Sequence, residues 1–250
     1  MVKGILKHLR KFWMRMKNNN VCHTVKNQMC TGCGVCEDIC PKHSITIQRT
    51  DGEHRPIVDN DTCSKCGKCL KVCSDIGFDF HKHQPLSEGQ KYDKYIGYYI
   101  GLHTGYSMEY GIRYHSASGG IVSSFLIYLL EKKVIDGAVV TGYKEDHITP
   151  YSYIARTKDD VIKARSSKYC HVALNGVGND IASQPEGEKY VIVGTPCHIQ
   201  GFRKRMAIDR KLRERVVDIV VSLQKSYLFV IMKNLNVIIN KNECKYKVLS

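Results

Sequence analysis

Long apolar runs are missing: no stretch of the 250 residues reaches the roughly 18 uninterrupted apolar positions that a membrane-crossing helix needs. Acidic residues are also short, 24 against 38 Lys and Arg, which leaves a formal net charge of +14. That excess suits an acidic partner such as a nucleic acid, an anionic membrane surface, a phosphorylated cofactor or an acidic redox protein, and does not choose among them. Nucleic-acid binding is not expected, because the basic residues are scattered and no motif for reading bases or phosphates accompanies them. A secretory leader is lacking too. Residues 1–17 carry Lys3, Lys7, Arg10, Lys11, Arg15 and Lys17 and no acid, and these interrupt any apolar core. Without an export signal the expected location is the cytoplasm, where clustered thiols serve as metal ligands rather than as bridges. The same segment spaces Ile5, Leu6, Leu9, Phe12, Trp13 and Met16 as a helix would. This predicts a basic amphipathic leader over residues 1–20, packed on its own protein or in peripheral membrane contact through residues 1–17.

Cysteine is what the chain has in excess, with 12. Cys30, Cys33, Cys36 and Cys40 stand at the spacing C-x2-C-x2-C-x3-C, and Cys63, Cys66, Cys69 and Cys73 repeat it. A cubane of four irons and four sulfides needs four thiolates around a compact core, and in this spacing the closing cysteine of each run serves the other run's cluster. Cys30, Cys33, Cys36 and Cys73 are thus expected to hold one 4Fe-4S cluster, and Cys63, Cys66, Cys69 and Cys40 the other. Gly32, Gly34 and Gly67 supply backbone freedom where the loops wrap closely round a bulky centre. A zinc site would pair two C-x2-C knuckles around one ion, a poorer match to two sets of three plus one. Cys22 falls outside the pattern and is expected to be an unligated thiol. Ser44, Ile45, Thr46 and Ile47 alternate as a short strand after the first run, with Phe78, Asp79 and Phe80 a shorter counterpart after the second. The segment C-T-G-C-G-V-C-E-D-I-C-P resembles the bacterial two-cluster ferredoxins over about 60 residues, with Ser74 where that family usually has proline.

Residues 84–91 have the composition of a linker. The seven tyrosines from Tyr92 to Tyr114 are expected to cover a half-buried strand, the alternative being the border of a planar cofactor ring. An α/β pattern follows. Ser118, Gly119 and Gly120 precede an apolar stripe at helical spacing; Ser118 is expected to cap that helix and the glycines to leave its first N–H groups open to a phosphate. G-A-V-V-T at residues 137–141 has the character of a buried strand, and a helix is expected over residues 159–164. Ser167, Lys168 and Tyr169 then form a polar turn with a phosphate-seeking lysine. Tyr190, Val191, Ile192 and Val193 form a strand that runs into Gly194, Thr195, Pro196, Cys197 and His198, with Thr195 as N-cap and Pro196 at the first helical position. Cys197 falls in the first helical turn, where the dipole favours a thiolate. It is the candidate catalytic thiol, with metal ligation, flavin contact or an unreactive buried role left open. Nucleotide cofactors bind at such strand–turn–helix junctions in open sheets.

Four segments occur in order: S-A-S-G-G-I-V-S-S at residues 116–124, V-I-D-G-A-V-V at 134–140, S-K-Y at 167–169 and G-T-P-C at 194–197. Together they resemble the beta subunit of coenzyme F-420 hydrogenase/dehydrogenase, a family that includes 7-hydroxymethyl chlorophyll a reductase. The resemblance runs over residues 25–221. It implies a flavoprotein that binds FAD, with Ser118, Gly119, Gly120, Ser167, Lys168, Tyr169, Gly194, Thr195 and Pro196 as the places for cofactor contacts; which turn makes them stays open. His198 stands where the family usually has Gln. After V-V-D-I-V-V at residues 216–221 the family's Cys-His-Gly segment gives way to an Asn/Lys/Ile-rich tail, which looks truncated or frame-shifted and makes Cys244 incidental.

The expected fold class is therefore an α+β two-cluster ferredoxin module (residues 21–83) followed, after the linker, by an α/β flavin-binding domain (residues 92–222) left incomplete by a divergent tail (residues 223–250). The expected function is an iron–sulfur flavoprotein oxidoreductase. It would relay electrons between two 4Fe-4S clusters, FAD and a deazaflavin or other organic substrate, beside a redox partner protein or a hydrogenase/dehydrogenase subunit. The alternative is a non-catalytic ferredoxin-type electron carrier or adaptor with a degenerate C-terminal domain.

Overall fold

The computed structural model describes residues 19–79, 89–95, 97–99, 101, 104–222, 228–231 and 246–249. Residues 1–18 of the expected leader, and all of the expected linker except Gly89, Gln90 and Lys91, lie outside the described residues.

The cysteine-rich part starts with helix α1 (Cys22–Lys26), and its first thiol loop runs into α2 (Val35–Asp38). Strands β1 (Ile45–Thr50) and β2 (Glu53–Val58) form an antiparallel hairpin with Ile45 opposite Val58 and Thr50 opposite Glu53. Asp51 and Gly52 turn it with φ of 53° and 81°, the two positive values that a two-residue hairpin turn requires and that an Asp-Gly pair accepts. The second thiol loop ends in α3 (Lys68–Val72) and a 3-10 turn, Ser74–Ile76. The strand expected after the first cysteine run is thus present, but its partner is β2. Phe78 and Asp79 have no regular structure, because the 3-10 turn and Gly77 at φ 83° lead the chain away; Phe80 lies outside the described residues.

The second half opens with β3 (Lys91–Asp93) paired to β4 (Gly97–Tyr99), then β5 (Thr104–Ser107), α4 (Tyr110–Tyr114) and α5 (Ile121–Glu131). There follow β6 (Gly137–Tyr143), β7 (Pro150–Ala155), α6 (Lys158–Lys163), α7 (Val177–Ser183), β8 (Tyr190–Gly194), α8 (Pro196–Met206), α9 (Arg210–Arg215), β9 (Val216–Ser222), β10 (Leu228–Ile231) and β11 (Tyr246–Leu249). Five of these strands form one sheet in the order β10-β9-β8-β6-β7. The central β6, β8 and β9 are parallel, and β7 and β10 close the edges antiparallel. Tyr190, Val191 and Ile192 are fully buried, as a strand covered on both faces requires. The residues of the expected tail return β10 to this sheet and pair β11 with β5.

Two expectations fail locally. The cap position of α5 belongs to Gly120 at φ 73°, not to Ser118, and no side chain caps this end. A Cβ on Gly120 would stand 2.8 Å from Ile112 Cγ2, so packing against α4 demands the glycine. Nor do the tyrosines mainly cover a half-buried strand: Tyr92, Tyr95, Tyr110 and Tyr114 are all exposed.

The two halves share a core. Val35 and Val72 of the cysteine-rich part pack in one cluster with Leu174, Tyr190, Ile192 and Phe202. Gly201 lets α8 approach closely, since a Cβ there would be 3.0 Å from Val35 Cγ2. Burying each valine contributes about 1.5–3 kcal/mol to holding the two halves together. Among the described residues no helix is long and apolar enough to cross a membrane.

Candidate metal centres

Crossing of the two cysteine runs is visible in which thiols influence one another. Burial raises the Cys36 thiol far above its ordinary value, and Cys33, Cys73 and Cys30 follow as the largest charge effects, with Cys69 of the other set after them. Cys30, Cys33 and Cys36 belong to the first run, and Cys73 closes the second. Burial likewise pushes Cys33 up to about 12 and Cys73 up to about 11. A set of buried thiols this reluctant to ionise becomes a set of thiolates only around a compensating cation, because metal binding and thiol deprotonation are coupled. The loop is held tightly: Leu174 N donates to Cys33 O at 3.0 Å, and Gly32 N donates to Cys30 Sγ at 3.4 Å. Gly34, at φ 86°, has no room for a side chain, since a Cβ would lie 2.8 Å from Asn175 N.

The remaining four thiols wall a cavity. Cys40, Cys63, Cys66 and Cys69 line one pocket that opens to the surface. Ser44 N donates to Cys40 Sγ at 3.3 Å and the Asn20 side-chain amide donates to Cys63 Sγ at 3.7 Å. Burial pushes Cys69 up to about 11, with Cys66 and Cys40 adding to the rise. Cys66 is exposed and shifts down instead, because the Lys68 N–H points at its sulfur. On a single zinc ion four sulfurs would converge to about 3.8 Å from one another. Among the described residues no three ligating side chains are gathered closely enough for one ion. Cys22, expected to be unligated, is half-buried beside Cys63 and belongs to the small core under this loop.

The flavin-directed turns differ in what they leave open. Lys168 donates to the carbonyls of Ala164, Arg165 and Ser166 at 2.9, 2.7 and 3.0 Å. Its three protons therefore close the C-terminal end of α6, and the ammonium is not free to seek a phosphate. Ser167 and Tyr169 beside it are exposed. Thr195 caps α8 as expected, with Pro196 at its start. The Thr195 hydroxyl lies 3.1 Å from Cys197 Sγ and 3.0 Å from His198 Nδ1. Cys197 packs against the core cluster that contains Cys33, and its proximity adds to the upward push that burial gives the Cys33 thiol. The candidate catalytic thiol is thus beside the first metal-directed loop, at the carboxyl end of β8.

His198 shows why a histidine serves where Gln is usual. Its Nδ1 accepts from Thr195 N at 3.2 Å and its Nε2 donates to Val172 O at 3.0 Å, the accept-and-donate pair that a Gln amide also offers in a capping box. Burial pushes this ring down to about 4. Between pH 6.5 and 4 the unfolded chain takes up a proton that the folded ring refuses, so stability falls as pH drops through that window, by about 3 kcal/mol at most. H198Q keeps both hydrogen bonds. It is expected to remove this slope, measured as hydrogen-exchange protection of α8 at pH 7 and pH 5.

Three contacts across the shared core gave no signal in the sequence. Arg205, 2% exposed in its side chain, pairs with Asp38 (1%) at 2.8 Å. Asp38 also accepts from the backbone N–H groups of Gly176 at 2.5 Å and Gly178 at 2.9 Å. Lys204 Nζ donates to Cys73 O at 2.5 Å. His171 Nε2 donates to Thr31 O at 2.7 Å while its Nδ1 lies 3.0 Å from His54 Nδ1, joining the first thiol loop, β2 and the α/β half.

Known proteins share these parts. Residues 29–75 match the model of a 4Fe-4S dicluster domain, and residues 102–177 match that of the coenzyme F420 hydrogenase/dehydrogenase beta subunit N-terminal region. A coenzyme F420-dependent sulfite reductase from Methanocaldococcus jannaschii is 31% identical over 180 residues, 72% of this chain and 26% of that protein. The coenzyme F420 hydrogenase subunit beta of Methanococcus voltae is 34% identical over 105 residues, 42% of this chain and 38% of that protein. A chain from the F420-reducing [NiFe] hydrogenase complex of Methanosarcina barkeri superposes with a TM-score of 0.48 at 27% identity, covering 52% of this chain and 46% of that one. The chain spans between about a quarter and two fifths of the length of these two curated relatives. Residues 29–75 therefore belong to the 4Fe-4S dicluster domains, and residues 102–177 to the coenzyme F420 hydrogenase/dehydrogenase beta-subunit family.

Proposed function

We propose that this chain is the electron-relay part of an iron–sulfur flavoprotein oxidoreductase. Cys30, Cys33, Cys36 and Cys73 hold one 4Fe-4S cluster and Cys40, Cys63, Cys66 and Cys69 the other. The observation that carries this reading is the crossed grouping of the thiols: Ser74, next to Cys73, lies 3.9 Å from Cys33 Sγ, while Cys40 walls the cavity of the second run. Bound clusters would supply reversible one-electron transfer, and FAD would convert it to two-electron exchange with an organic substrate. The chain's own residues hold the thiols in place, exclude water from the first set through Val35, Val72 and Phe202, and fix α8 against that set through Arg205 and Lys204.

For FAD, the turn of Ser118, Gly119 and Gly120 fits a phosphate best, because the end of α5 carries no side-chain cap. Gly194, Thr195 and Pro196 bring Cys197 to the carboxyl edge of the five-stranded sheet, the edge at which open sheets hold nucleotide cofactors. Lys168 has no part in this arrangement. The name of the sulfite reductase and that of the hydrogenase subunit point to a deazaflavin, coenzyme F420, as the organic partner. We also assign to the family resemblance a partner subunit of hydrogenase or dehydrogenase type.

Anaerobic purification followed by flavin extraction tests the cofactor. About one FAD per chain is the expected result. Full iron content with no flavin, even after incubation with FAD, would favour the electron-carrier alternative, which the engagement of Lys168 also suits.

A further inference from the structure

The two thiol sets face different neighbours. The first faces inward: Cys33, Cys36 and Cys73 are buried, Lys204 of α8 binds the Cys73 carbonyl, and Gly201 of α8 packs on Val35. Around the second set, every residue that lines the cavity comes from residues 19–69, and the cavity opens to the surface at Cys66, the one exposed thiol of the eight. Its rim is basic. Lys65 and Lys68 flank Cys66, Lys71 lies one helical turn beyond Lys68, and Lys42 follows Pro41 of the cavity wall; all four are exposed. Lys26, also exposed, stands one helical turn beyond Cys22, which packs on the same small core as Cys63. Two carboxylates interrupt this surface, Asp59 and Asp61, and Asp59 is engaged by the Thr62 hydroxyl at 2.8 Å and by Asp61 N at 3.0 Å.

We infer that the second cysteine set is the outward port of the relay, and that its lysine rim receives the acidic face of a one-electron carrier protein. The inference rests on the cluster assignment proposed above. An exposed ligand brings a foreign redox centre near the cluster, and a concentrated positive surface raises the rate of encounter with an acidic protein by tenfold or more at low salt. The step balances simply. One electron leaves the reduced carrier and enters the cluster held by Cys40, Cys63, Cys66 and Cys69, with no bond made or broken; electrons then reach the α/β half through the first set.

The test uses the anaerobically purified full chain and a reduced acidic flavodoxin as the probe, with stopped-flow detection of cluster bleaching. K42E/K65E/K71E is expected to lower the second-order rate about tenfold at low ionic strength, with the difference vanishing in high salt. Reduction by a small uncharged photoreductant should stay unchanged, as should iron content. K144E/K163E/K211E removes as much exposed positive charge from the α/β half and should leave the carrier rate within about twofold of the parent. An unchanged rate in the first triple variant overturns the port. So does an equal loss in both triples, which would mean general attraction of polyanions. Absence of iron in the parent chain instead refutes the cluster assignment, a separate failure.

Discussion

C66A is expected to lower the iron content of the anaerobically purified chain from about eight atoms to about four and to remove one of two sets of reduced-cluster signals. C33A should remove the other set. The crossed arrangement makes a sharper demand on the closing cysteines. C40A should resemble C66A, and C73A should resemble C33A, because Cys40 lies with Cys63, Cys66 and Cys69 while Cys73 lies with Cys30, Cys33 and Cys36. Electron paramagnetic resonance of the four reduced variants sorts them into pairs. Pairing of C40A with C33A would mean that each run closes its own cluster. The two losses should also differ in consequence: a chain without the inner cluster keeps its port but loses its link to α8.

D38A should cost about 3–5 kcal/mol of stability, the largest effect expected from any residue outside the thiol sets. The Arg205 guanidinium would be left charged and buried with only Asn179 and a longer contact to Asp209, at 2.7 and 3.3 Å, and the N–H groups of Gly176 and Gly178 would lose their acceptor. Burial pushes the Asp38 carboxyl up, while the Gly176 N–H and Arg205 pull it back toward the charged form. The pair therefore depends on both members. D38A/R205M, which removes both charges, should recover part of the loss, measured as the denaturation midpoint of the holo chain. If D38A and D38A/R205M are equally destabilised, the cost comes from the lost glycine contacts rather than from a stranded charge. Because Asp38 sits between Cys36 and Cys40, D38A should also slow electron transfer between the cysteine-rich part and the α/β half.

How far the sequence carries depends on whether the signal is local. The duplicated cysteine spacing is a local pattern, so the two sets of thiols were legible before any coordinates. The strand–turn–helix at Tyr190 to His198 was legible for the same reason, since Thr195 and Pro196 are local cap chemistry. Strand β2 was not foreseen, although the Asp51-Gly52 pair carried its signal. The role of Lys168 could not be read, because a lysine after a helix serves a phosphate or the helix's own carbonyls equally well in sequence. The contacts of Asp38 with Arg205 and of Thr31 with His171 bridge 167 and 140 residues and have no local signature. They fuse two segments that composition separates at a polar linker, and so place Cys197 beside Cys33.

Iron and acid-labile sulfide, counted on the same anaerobic preparation, test the central claim most directly. About eight of each per chain is the predicted result, since two four-iron, four-sulfide bodies require both in equal number. One or two zinc ions per chain, with no sulfide released by acid, would contradict it and leave the paired cysteine runs as structural knuckles.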